Sequence, residues 1–114
     1  MRVLDDLQLP APIHDALQAA HCRITSEFRV DCLVLFGSLV RGESDEESDA
    51  DLLIVLAKPP TYQVRDHIAS LILDINLAYG TNLSELIVDR QTWDEGLPAA
   101  LPIHKEIEEE GIRL

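Results

Sequence analysis

Aromatic side chains are scarce in this chain. Two phenylalanines, two tyrosines and one tryptophan make up 4% of its 114 residues. The core must therefore be built from Leu, Ile, Val and Ala. Trp93 and Tyr79 are read as core or edge packing rather than as base-stacking platforms. Basic side chains are also few. Nine Lys and Arg stand against 21 Asp and Glu, for a formal net charge of −12. So acidic a chain has no electrostatic footprint for a phosphate backbone, and direct nucleic-acid binding is not expected. Small anionic substrates stay open if metal ions bridge the charge. The two cysteines, Cys22 and Cys32, show no CxxC spacing and are read as small buried hydrophobes. His14, His21, His67 and His104 have no ligand spacing with one another. Secretory and membrane-spanning stretches are lacking, so a cytoplasmic protein with no membrane role is expected. Repeats, low-complexity tracts and linkers are lacking as well. A single domain over 1–114 is expected, with a helical segment 1–29 and a sheet-containing core 30–114.

Hydrophobic spacing orders the elements. Pro10 and Pro12 precede Ile13, Leu17, Ala20, Ile24 and Phe28, which recur at steps of three or four. That is one face of a helix, with proline in its first turn. Val30 to Phe36 is short, apolar and partly β-branched, as in a buried strand. Gly37 ends it, and Ser38 is placed to cap a short helix towards Arg41. Residues 42–48 read as an acidic surface loop. Ala50 to Ala57 is a second buried strand, stopped by Pro59 and Pro60. A helix runs from Thr61 to Tyr79 and is capped by Gly80. Leu83 to Val88 is a third strand, and Gln91 to Glu95 a helical turn. A helix over Pro98 to Glu110 is capped by Gly111, with Ile112 and Leu114 able to form a terminal strand. The class is α/β (α+β), a mixed β-sheet with helices packed mainly on one face.

The stretch from Gly37 to Asp51 carries the chemistry. Asp49 and Asp51 are two apart at the mouth of a strand, so both carboxylates leave the sheet on one side, from Cβ atoms roughly 6–7 Å apart. Carboxylates so placed suit hard divalent cations, which prefer oxygen ligands. Paired metals are a common device for in-line displacement at phosphorus. Gly37 lets a phosphate approach the backbone, and the amides after Ser38 attract anions. Arg41 can neutralise part of the charge or pair with nearby acids.

Two near matches fail at identifiable positions. Gly37 to Ser44 nearly spells a P-loop, but Glu43 stands where the phosphate-binding lysine belongs. Asp45 to Leu56 superficially follows a calcium loop, but Ala50 replaces the required glycine and Leu56 the closing glutamate. Glu43, Asp45, Glu46 and Glu47 read as solvated residues. Glu106 and Glu108 to Glu110 read the same way, with contact to a basic partner as the alternative.

Gly-Ser, ten residues and Asp-x-Asp together resemble the signature of the DNA polymerase β-type nucleotidyltransferase superfamily. Arg41-Gly42-Glu43 and Ser48-Asp49-Ala50-Asp51-Leu52-Leu53 are most similar to its minimal nucleotidyltransferase (MNT) domains, including MntA-type antitoxins. The likeness extends from about Leu33 to Leu114. It implies a palm-like fold and a third acidic residue on a later strand. Glu85 is the natural candidate, and Asp89 competes with it. It further implies two Mg²⁺ ions at Asp49, Asp51 and Glu85, with ATP phosphates at Gly37, Ser38 and Arg41. An acceptor hydroxyl then attacks the α-phosphate and pyrophosphate leaves.

The fold is expected to account for nearly every residue, so a separate acceptor-binding domain is not expected. The acceptor is then small, held at a homo- or hetero-oligomeric interface, or presented by another protein. The resemblance favours an antitoxin that transfers AMP to a tyrosine of a HEPN toxin. Two other readings stand beside it. One is a non-catalytic MNT module that inhibits or recruits a partner. The other is a nucleotidyltransferase for small molecules of the antibiotic type.

Overall fold

The computed structural model describes residues 2–4, 7–41 and 49–114. The acidic segment 42–48, expected as a surface loop, lies outside the described residues. In chain order the elements are β1 (Arg2–Val3), α1 (Ala11–Glu27), β2 (Val30–Phe36), β3 (Asp49–Leu56) and α2 (Tyr62–Tyr79). Then come β4 (Asn82–Asp89), α3 (Arg90–Glu95), a 3₁₀ turn (Leu97–Ala100), α4 (Pro102–Glu110) and β5 (Ile112–Arg113). The strands form one mixed sheet in the order β1-β5-β2-β3-β4. β3 and β4 run parallel, as do β1 and β5, while β2 is antiparallel to both of its neighbours.

The two long helices cover one face of this sheet. α1 carries Pro12 in its first turn and buries Ile13, Ala16, Leu17, Ala20 and Ile24. α2 begins where the Thr61 side chain accepts a hydrogen bond from the Val64 amide at 3.2 Å. It ends at Gly80, whose φ of 67° is left-handed backbone that glycine adopts without strain. Its buried residues, Ile68, Leu71, Ile72 and Ile75, pack with α1 over Leu33, Leu35, Leu52, Ile54 and Leu83. Each such aliphatic side chain contributes about 1.5–3 kcal/mol by leaving water.

One polar side chain ties α2 to the neighbouring strand. Asn76 donates to the Leu83 carbonyl at 3.1 Å and accepts from the Leu83 amide at 2.8 Å. Its oxygen also accepts from the Thr81 hydroxyl at 3.0 Å. Further along, Arg65 donates to the Ile87 carbonyl at 3.4 Å.

Among the described residues the second face is covered at one end only. There Trp93 of α3 and Ile107 of α4 pack on Val34, Leu53, Val55 and Val88. The Trp93 indole donates to Glu108 at 2.9 Å and lies against the His104 ring at 4.5 Å. At the other end, where β3 begins, Asp49 and Asp51 are exposed. Among the described residues no helix is long and apolar enough to cross a membrane.

Three details differ from the expectations. The helix expected over 98–110 is two pieces. Pro102 excludes helical backbone at the residue before it, and Leu101 is extended at φ −97° and ψ 149°. Cys22 is exposed and Cys32 half-buried rather than both buried, and Cys22 sits about half a turn from Ile24 and Ala20 on α1. The N-terminal segment also supplies a strand, β1, which extends the sheet beyond β5.

Candidate active site

The site is built from the end of β2 and the beginnings of β3 and β4. β3 alternates, so Asp49 and Asp51 share a face with Leu53 and Val55. Past Asp51 the strand is buried on both sides, from Leu52 to Leu56. That burial pins the register and holds the two carboxylates at a fixed strand mouth. Phe36, the last residue of β2, is the register partner of Asp51.

Gly37 follows with φ 91°. A β-carbon there would also collide with Oδ2 of Asp51. The chain then turns sharply, and the Gly37 carbonyl accepts from the amides of Val40 and Arg41 at 3.2 and 3.4 Å. The short helix expected from Ser38 to Arg41 is thus only a hydrogen-bonded turn, and Gly37 rather than Ser38 supplies the carbonyl that takes its first bond. Val40 is buried and anchors the turn, leaving Ser38 exposed. Arg41 forms an ion pair with Glu106 of α4 and lies 4.0 Å from Glu110. The late acidic helix therefore reaches the turn.

The strand register does not bring Glu85 to the pair. Its partner on β3 is Leu52, which is packed under the long helices. Paired residues of parallel strands point to the same face, so Glu85 leaves the sheet on the side opposite Asp49 and Asp51. Asp89 is elsewhere again. It is buried at the far end of β4 and caps α3, accepting from the Thr92 amide at 3.1 Å. Hydrogen bonds from the Thr92 side chain and backbone hold its carboxyl below the usual range.

Two residues not singled out from the sequence stand on the site face. Asn82 and Ser84 are the β4 partners of Asp49 and Asp51. The Asn82 amide donates to Asp49 Oδ1 at 2.8 Å. A signal for them existed: a strand, a helix and a second strand imply parallel pairing, and alternate polar residues at the start of each strand mark one face. The missing quantity was the register.

Two carboxylates on one face are a donor set that suits Mg²⁺. That ion is commonly held by one or two carboxylates together with substrate phosphates and water. Among the described residues no three His, Cys, Asp or Glu are grouped to hold a metal. The residues present fit a cation carried on a nucleotide better than a cage made by protein alone.

A model of the nucleotidyltransferase domain family matches residues 21–110. The chain belongs to this family. Among curated proteins it is similar to two candidate protein adenylyltransferases of Methanocaldococcus jannaschii. One is 37% identical over 59 residues, covering 52% of this chain and 60% of the relative. The other is 34% identical over 59 residues, covering 50% and 40%. The chain thus matches 60% or less of the length of either. Two solved structures share the fold. A toxin–antitoxin crystal structure with AMP-PNP superposes with a TM-score of 0.56 at 16% identity, over 89% of this chain and 70% of that one. A candidate minimal nucleotidyltransferase gives 0.54 at 26% identity, over 91% and 90%. The mixed sheet with its four helices is therefore a nucleotidyltransferase fold.

Proposed function

We propose that this chain transfers AMP from ATP to a hydroxyl of a partner protein, with Mg²⁺ as the cation. The observation that carries the reading is the shared placement of Gly37, Ser38, Asp49 and Asp51. A turn that begins at Gly37, with φ 91° and no room for a β-carbon, abuts a strand mouth with two exposed carboxylates. Bound Mg²⁺ would polarise the α-phosphate and offset the charge of both carboxylates and triphosphate. The Ser38 end of the turn holds the β- and γ-phosphates, while Arg41 at its far side is paired with Glu106. The acceptor oxygen forms a bond to the α-phosphorus, and the bond to the β-phosphate oxygen breaks. Pyrophosphate leaves, and the hydroxyl proton passes to a carboxylate of the pair.

The acceptor we favour is a tyrosine of a HEPN toxin, with this chain acting as its antitoxin in the cytoplasm. Support comes from the adenylyltransferase names of the curated relatives and from the toxin–antitoxin assembly among the fold neighbours. A net charge of −12 also suits a partner with a basic surface.

A second reading draws on Glu85. With that carboxylate on the opposite face, the fold would bind nucleotide or partner without transferring AMP. One experiment separates the two. The chain is incubated with Mg²⁺, labelled ATP and the candidate partner, beside an Asp49→Ala, Asp51→Ala variant. Label transferred by the native chain and lost in the variant is the expected result. Transfer that survives the double substitution sinks the mechanism. Tight partner binding without transfer establishes the binding module.

A further inference from the structure

β4 meets the carboxylate pair with neutral side chains. Asn82 stands beside Asp49 and Ser84 beside Asp51. The Asn82 amide donates to one oxygen of Asp49 at 2.8 Å, which leaves the second oxygen and the remaining lone pairs for a cation. Asn82 is itself held on a firm base. The residues on both sides of it, Thr81 and Leu83, are hydrogen-bonded to Asn76 of α2. Its side chain thus starts from a fixed backbone although its surface is exposed. A hydrogen bond to a ligating carboxylate fixes which way its lone pairs point, and such partners commonly tune cation affinity 10–100-fold.

We infer that Asn82 is a positioning residue that orients Asp49 towards a nucleotide-borne cation, in a site where β4 contributes no charge of its own. The inference rests on the reading of Asp49 and Asp51 as cation ligands. It has a corollary at Ser84. With two formal charges rather than three among the described residues, the free protein is expected to hold a divalent cation weakly, and the triphosphate to supply the remaining ligands. A carboxylate introduced at position 84 would stand directly beside Asp51.

Mn²⁺ tests this without recourse to activity. Free Mn²⁺ is followed by its EPR signal during titration of the native chain, with and without a non-hydrolysable ATP analogue. Asn82→Ala is expected to weaken Mn²⁺–nucleotide binding about 10-fold. Ser84→Asp is expected to tighten binding of Mn²⁺ alone by a similar factor. Asn82→Ala affinity equal to that of the native chain, with binding lost in Asp49→Ala, overturns the role of Asn82 and leaves the site intact. Undiminished binding in Asp49→Ala overturns the site itself. Thermal unfolding of each variant checks its fold. If Asn82→Ala is unfolded, Asn82→Val carries the same test with a residue that suits a strand and has no side-chain donor.

Discussion

The carboxylate of Asp51 lies against the α-carbon of Gly37, so closely that a β-carbon at position 37 would strike its Oδ2. The two halves of the signature are therefore in physical contact. Gly37→Ala would have to relieve that contact and also hold φ near 91°. Such left-handed strain costs about 1–3 kcal/mol, and displacing a reacting group by about 1 Å can cost 100-fold in rate. The variant is expected to unfold at lower urea concentration and to lose AMP transfer on the order of 100-fold. Native-like transfer by Gly37→Ala would show that the turn does not set the carboxylate.

Glu85 and Asp51 make opposite predictions. Glu85 pairs with Leu52 and faces the long helices. Glu85→Gln is expected to leave transfer within about threefold of the native rate. Asp51→Asn is expected to lower it by about 10²–10³, the scale of losing one electrostatic stabiliser of a transition state. Matched losses in the two variants would mean that the register at β4 differs in the working enzyme.

Asn76 satisfies both backbone groups of Leu83. Asn76→Ala leaves these partly buried groups without that partner, at an expected cost of about 1–3 kcal/mol. Asn76→Asp keeps the acceptor for the Leu83 amide and loses the donor, so its urea midpoint is expected to fall between the two.

Asp89 links stability to pH. Its carboxyl is depressed by the Thr92 hydrogen bonds, so the folded chain favours the ionised form. A depressed carboxylate stabilises fully above its unfolded value of 3.8, and the effect disappears as pH falls through the folded value. Asp89→Asn should therefore be less stable than the native chain at pH 6. The difference should shrink below pH 3.8 in a series of thermal melts. A gap that stays constant down to acid pH would assign the cap no charge component.

The sequence showed most of the scaffold because its signals are local. Val30–Phe36 announced itself as an apolar run, and α2 by its spacing between Thr61 and Gly80. Asp49 and Asp51 were legible as a pair because their relation is two residues within one strand. Glu85 against Ser84 was not. A shift of one residue between β3 and β4 exchanges the faces of every side chain, and only packing under α2 decides it. β1 has two residues, too few for any period to appear. Leu101 carried a usable signal, since the following proline marks a break in the helix.

β4 is the last strand of the sheet on its side, and unpaired strands there invite a neighbour's backbone. A strand residue sends its N–H and C=O in one direction. Those of Leu83 are both taken by Asn76, and the Ile87 carbonyl is taken by Arg65. Part of this border is thus sealed by the protein's own helix. A visitor seeking to add a strand would have to break those bonds first. Whatever approaches the Leu83 end of this side must recognise side chains, and sheet growth from one molecule to the next is hindered there.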